Sequence, residues 1–264
     1  MLALAVLVAP AAGRGQHHVA SAAASPAPRS EPTPPAPLSS YRVLFVGNSY
    51  TRFHAMPLMV RAALRTLPEH PRVEVETLAH PGWTLERHLA SGRPQRRIAR
   101  GGLTHVVLQD HSLSALEAAD AMRGAARALH DASRLAGART VLYETWARRD
   151  GAGVYHREGS PQDPDEMTAR IGEMYAAMGR ELATPVAPAG RAFAIARAER
   201  PELVLHREDG SHPTELGSYL VACTVAGVVS GRDPRELSYV VPGMSRPVAA
   251  ALREIASRAI ATGP

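Results

Sequence analysis

Val43-Leu44-Phe45-Val46-Gly47-Asn48-Ser49-Tyr50-Thr51 is the stretch that decides how this chain is read. Val43 to Val46 form an apolar run with no polar alternation, too short for a helix, and they read as a strand covered on both faces. The run stops at Gly47-Asn48-Ser49 and so delivers a serine hydroxyl to the strand's carboxyl end. Working outward, the strand at 42–46 is joined by further short apolar runs at 72–77, 105–108, 140–143 and 185–188. Helical patterns fall at 57–67, 116–136, 164–182 and 191–199, and two more, at 214–230 and 247–261, close the chain. Alternation of this kind predicts an α/β fold, a three-layer α/β/α sandwich built on a five-stranded parallel sheet with right-handed crossovers. Ligands of such sheets sit beyond the carboxyl ends of the strands, near the point where strand order reverses. Ser49, Gln109 and the loop 209–212 all map to that edge.

The second informative run is Asp209-Gly210-Ser211-His212-Pro213, which opens the helix at 214–230. A serine hydroxyl is a poor nucleophile until a base takes its proton, and an imidazole held in one tautomer by an acid is the usual base. Ser49, His212 and Asp209 supply these three parts, provided that folding closes the long gap in sequence. The composition narrows the chemistry further. All thirty basic residues are Arg, so a phosphate-loop lysine, a Ser-Lys dyad and a Schiff-base amine are excluded. No Gly-x-Ser-x-Gly elbow occurs. Asn48, the one asparagine in the chain, stands beside the candidate nucleophile.

Other assignments stay open at this level. Ser49 also suits a helix cap, and His212 suits an ordinary loop residue before a helix-starting proline. Gly82 after Pro81 is a common turn signal, and Gln109 at a strand end fits a structural amide equally well. Asp110-His111 is a conceivable metal pair, but no His-Glu-x-x-His or cysteine cluster accompanies it, so no metal and no cofactor are expected. Trp83 and Trp146 fit either a pocket wall or a core cap. The loop 148–164, rich in Arg, Gly and Asp, is the longest and reads as a lid or binding edge.

The net charge of +5 is spread over short Arg doublets such as Arg96-Arg97 and Arg148-Arg149, which reads as a solvated surface with no nucleic-acid partner. Residues 2–12 form an apolar run too short to span a bilayer but long enough for a signal-peptide core. The Ser-, Ala- and Pro-rich stretch that follows behaves as an extended tether. The expected organisation is therefore 1–38 as signal peptide and linker, and 39–264 as one domain of a secreted or periplasmic protein with no membrane span. The lone Cys223 lies in an apolar helical run and is expected to pack as a small buried hydrophobe.

These blocks resemble the SGNH hydrolases, the GDSL-type esterase/lipase superfamily. That family carries a Gly-Asp-Ser block after the first strand, a Gly after the second, an Asn after the third and Asp-x-x-His near the C-terminus. Here the blocks read Gly47-Asn48-Ser49-Tyr50-Thr51, Gly82 within His80-Pro81-Gly82-Trp83, Val106-Val107-Leu108-Gln109, and Asp209-Gly210-Ser211-His212. Gln109 stands where the family has Asn, as in a subgroup with the Gly-Asn-Ser-Tyr-Thr opening. The resemblance covers roughly 41–230. It implies a flavodoxin-like fold and a secreted serine esterase acting on a small-molecule or carbohydrate ester, with acetyl esters of carbohydrates as one target. Ser49, Asp209 and His212 would form the triad, and Ser49 N–H, Gly82 N–H and the Gln109 amide the oxyanion hole, while Asn48 holds the turn. A non-catalytic glycan or cell-wall binding module on the same scaffold, and an acyltransferase using the same acyl-enzyme, are the alternatives.

Overall fold

The computed structural model describes residues 38–263, together with Met1, Leu2, Ala3, Ala5 and Leu7. The chain parts into Met1–Pro34 and Pro35–Pro264, and the fold is that of the second unit. The export signal and linker expected over 1–38 lie almost wholly outside the described residues.

Five strands, β1 (Ser40–Gly47), β2 (Arg72–Ala79), β3 (His105–Leu108), β4 (Arg139–Tyr143) and β5 (Val186–Ala187), form one parallel sheet in the order β2-β1-β3-β4-β5. All five fall where the apolar runs put them. β1 lies inside the sheet, and alternate side chains of its run face opposite layers: Val43 and Phe45 one way, Leu44 and Val46 the other. This two-sided burial is why the run shows no polar alternation. On the Phe45 side pack α2 (Met56–Leu64), α8 (Ala189–Glu199), α9 (Glu215–Ser230) and α10 (Arg246–Thr262). On the Leu44 side pack α3 (Leu85–Ser91), α4 (Arg93–Ala99), α6 (Ala119–Leu135) and α7 (Pro164–Glu181). Cys223 of α9 is fully buried and unbridged, and burial pushes its thiol up to about 12.

Helix starts follow local chemistry. Asp163 caps α7 by accepting from Glu166 N at 2.8 Å, with Pro164 at the first position, and Thr214 caps α9 by accepting from Gly217 N at 3.2 Å. The helices α3 and α4 do not show in the sequence pattern. Gly92 and Pro94 break 85–99 into two seven-residue pieces, too short for the apolar period to stand out. The helix expected over 116–136 is likewise preceded by a separate short one, α5 (Ser114–Glu117). Among the described residues no helix is long and apolar enough to cross a membrane.

Because the chain leaves β1 for β2 and then crosses back to β3, the strand order reverses between β1 and β3. The residues that follow β1 and β3, Asn48-Ser49 and Gln109-Asp110, flank that crevice.

Candidate active site

Ser49 is the first residue of α1 (Ser49–Arg52), the short helix that follows β1. Its Oγ lies 2.9 Å from His212 Nε2, and His212 Nδ1 lies 2.7 Å from Asp209 Oδ2. The fold thus closes the gap between the two sequence blocks into one continuous line of hydrogen bonds. The other carboxylate oxygen of Asp209 accepts from the backbone N–H groups of Ser211 and His212, each at 2.9 Å. Partial desolvation pushes the Asp209 carboxyl up, but the imidazole and the two amides outweigh it and bring the group down to about 2. An ionised Asp209 accepts from Nδ1–H and leaves Nε2 as an acceptor for the Ser49 hydroxyl.

The turn that carries Ser49 is built around Asn48 and Gln109. Asn48 Oδ1 accepts from Tyr50 N at 3.0 Å, capping α1, while its Nδ2 donates to Trp83 O at 3.2 Å. Asn48 thereby joins the loop after β1 to the loop after β2. Gln109 Oε1 accepts from Asn48 N at 2.9 Å and from Thr51 Oγ1 at 2.8 Å, and its amide nitrogen donates to the Asp110 carbonyl. Gln109 is fully buried, so its amide does not reach the cleft as the expected oxyanion donor. It braces the Ser49 turn from below instead. Gly47 makes room for this brace, because a Cβ there would stand within 2.5 Å of Gln109 Oε1.

Gly82 occupies the exposed turn 80–84 at φ 70°, a left-handed conformation that favours glycine. Trp83 N donates to His80 O at 3.1 Å and closes this turn. The N–H of Ser49, at the first position of α1, has no acceptor within the helix. Asp110 is a brace too: Oδ1 accepts from Leu85 N at 3.1 Å, His111 N at 2.5 Å and Ser114 Oγ at 3.0 Å, and burial pushes its carboxyl up. Among the described residues no three His, Cys, Asp or Glu side chains converge to hold a metal ion.

An aromatic column supports the His212 loop. The Tyr50 ring stacks on Trp146 at 4.3 Å, and Trp146 stacks on Phe193 at 4.4 Å, both nearly parallel. Trp146 is fully buried and its Nε1 donates to Ser211 O at 3.0 Å, so it serves as a core prop under the His212 loop. The His212 ring lies between Phe53, at 4.5 Å, and the edge of Tyr50, at 5.6 Å. His54 and Ala55 follow at φ 51° and 50°, a strained kink, and His54 Nε2 contacts Pro213 O at 3.2 Å. The 148–164 loop is tied to the same segment: Arg149 N donates to Gly210 O at 2.8 Å and its Nη2 to Glu208 O at 3.0 Å.

Sequence reasoning missed Tyr50, Phe53 and Ser211, which pack against or beside His212, and Arg148, which donates to Tyr50 OH. Tyr50 and Ser211 sit inside the two motif blocks, so their position was a signal left unused. Arg148 opens the loop that reads as a binding edge, whereas nothing in the sequence sets Phe53 apart.

No protein-family model matches the chain, and no curated protein matches it in sequence. Solved structures do. A protein from Slackia heliotrinireducens assigned to the SGNH hydrolases is 29% identical, with a TM-score of 0.61 over 72% of this chain and 98% of that one. A DUF4886 family protein from Bacteroides uniformis gives a TM-score of 0.67 at 19% identity, over 84% of this chain and 95% of that one. A catalytic mutant of the acetylxylan esterase Axe2 from Geobacillus stearothermophilus gives 0.59 at 14% identity, over 75% of this chain and 98% of that one. The parallel sheet in the order β2-β1-β3-β4-β5 agrees with these likenesses, and the chain is a member of the SGNH hydrolase superfamily.

Proposed function

We propose that this SGNH hydrolase is a serine esterase that cleaves carboxylic esters through Ser49, His212 and Asp209. The observation that carries the reading is the unbroken line from Ser49 Oγ through the imidazole to Asp209, 2.9 Å and 2.7 Å long at its two links. In the first step Ser49 Oγ bonds to the ester carbonyl carbon while its proton passes to His212 Nε2. Asp209, ionised and accepting from Nδ1–H, stabilises the imidazolium that forms. Negative charge gathers on the carbonyl oxygen, and the backbone N–H groups of Ser49 and Gly82 are the donors assigned to it. Loss of one such donor typically costs about 2.7–4 kcal/mol of transition-state stabilisation. The imidazolium then protonates the leaving alkoxide, and water repeats the sequence on the acyl-enzyme with the same base.

Acetyl groups on carbohydrates are the proposed substrate class, in keeping with the acetylxylan esterase among the structural neighbours. Export through residues 1–38 belongs to the same reading, and cell fractionation of the full chain tests it. A glycan-binding module would have no use for an ordered serine-imidazole pair. The deciding experiment is a series of p-nitrophenyl esters of increasing acyl length, run on wild type and Ser49→Ala. Hydrolysis of the short esters by wild type alone supports the reading, and equal rates in the two proteins overturn it.

A further inference from the structure

We infer that Arg148 is a specificity residue that receives a carboxylate carried by the ester substrate, an inference that rests on the esterase reading. The side chain is half-buried at the carboxyl edge of the sheet, beyond β4. Its guanidinium donates to two neutral hydroxyls, Tyr50 OH and Ser112 Oγ, the latter at 2.7 Å. Among the described residues no carboxylate lies within 4.0 Å of it. Elsewhere this chain pairs its arginines readily, as in the two-pronged contacts of Arg97 with Glu76 and Arg258 with Glu199. A half-buried cation left with neutral partners keeps much of its attraction for an anion, because its desolvation is not offset by an internal countercharge.

The place of this cation ties it to the reaction. Its Cζ stands 5.8 Å from the centroid of the Tyr50 ring, the same ring against which His212 packs, and Tyr50 is the residue after the nucleophile. Tyr50 OH also bonds Ser211 Oγ at 2.8 Å, beside His212. Among the described residues two of the five guanidinium N–H groups have partners, which leaves three for a ligand. A single positive charge with a planar fork of donors matches a monoanionic carboxylate held by two parallel hydrogen bonds. The substrate class is therefore an ester with a second, free carboxylate, either on the acyl portion, as in a dicarboxylic hemiester, or on the alcohol portion, as in an acylated uronic acid.

Matched pairs of substrates separate this from a purely structural part for Arg148. On the acyl side, p-nitrophenyl hemiglutarate is compared with p-nitrophenyl valerate; on the alcohol side, acetylated glucuronic acid is compared with acetylated glucose. Wild type is expected to favour the anionic member of at least one pair by about tenfold to a hundredfold in kcat/KM, the worth of one charge-assisted contact, with the difference mostly in KM. Added salt should shrink the preference. Arg148→Gln, which keeps amide donors for the two hydroxyls, should bring the ratio close to one, and Arg148→Lys should keep part of it. If Arg148 only positions Tyr50, both members of each pair fall together and the ratio is unchanged, which overturns the inference. So does a wild type with no preference in either pair. Titration of Ser49→Ala protein with p-nitrophenyl hemiglutarate and with acetylated glucuronic acid, each with and without Arg148→Gln, keeps the two claims apart. Weaker binding of either anionic ester in the double variant supports the Arg148 site even if wild type hydrolyses nothing and the esterase reading falls, and unchanged binding of both overturns it.

Discussion

Glu144→Gln is expected to remove much of this protein's loss of stability between acid and alkaline pH. Glu144 directly follows β4 and is fully buried; its Oε1 accepts from Arg191 N at 3.1 Å, and its Oε2 has no partner among the described residues. Burial pushes the carboxyl from 4.5 up to about 8, against a smaller downward pull from the Arg191 amide. The sign follows from linkage. Below about 4.5 the group is neutral in both folded and unfolded chains and has no effect. Above it the unfolded chain releases the proton while the folded chain holds it, so stability falls until Glu144 ionises in place near pH 8. Each tenfold change in proton affinity is about 1.4 kcal/mol, which puts the full loss at about 5 kcal/mol. That is a large part of the roughly 5–15 kcal/mol typical of a folded domain. Glutamine is the neutral isostere: it keeps the acceptor for Arg191 N and has no proton to lose. Urea unfolding of both proteins near pH 4.5 and above pH 8 measures the effect. The variant should be the more stable by several kcal/mol at the higher pH and close to wild type at the lower. A difference that is the same at both pH values would refute the burial argument.

Further outcomes follow from the site. Asp209→Asn should lower kcat on p-nitrophenyl acetate by several orders of magnitude, with a modest loss of stability because the carboxylate is half exposed. In wild type the stabilising part of Asp209 is present above its ordinary value near 3.8 and is lost as pH falls through about 2, which acid unfolding of the variant would show as a flatter curve. Gln109→Leu leaves Asn48 N and Thr51 Oγ1 without their buried acceptor and should destabilise by about 1–3 kcal/mol for each stranded group, read from urea midpoints. Trp146→Ala empties the middle of the aromatic column and should cost about 3–5 kcal/mol, with a loss of kcat from a loosened His212 loop in whatever folded protein remains.

The parts of the fold legible in the sequence were those where one pattern had one physical meaning. Val43 to Val46, apolar on both faces, fits only an interior strand, and Asp209-Gly210-Ser211-His212 places an acid and an imidazole in contact by local geometry alone. The helix pair in 85–99 was hidden because short segments held by tertiary packing carry little periodicity of their own. Gln109 was misassigned for a different reason. A carboxamide offers both a donor and an acceptor, and only the neighbouring Asn48 amide and Thr51 hydroxyl determine that it turns inward. Arg148 and Phe53 belong to the site through contacts across long sequence gaps, which no linear spacing encodes. Glu144 was legible in principle, as an acid that directly ends the apolar run 140–143.

The central claim is that His212 turns the Ser49 hydroxyl into a nucleophile, and intact-protein and peptide mass spectrometry after treatment with a fluorophosphonate tests it most directly. One adduct per chain is expected, on Ser49, with labelling abolished in Ser49→Ala and strongly slowed in His212→Ala. An unlabelled wild type, or labelling of Ser49 at the same rate without His212, would contradict it.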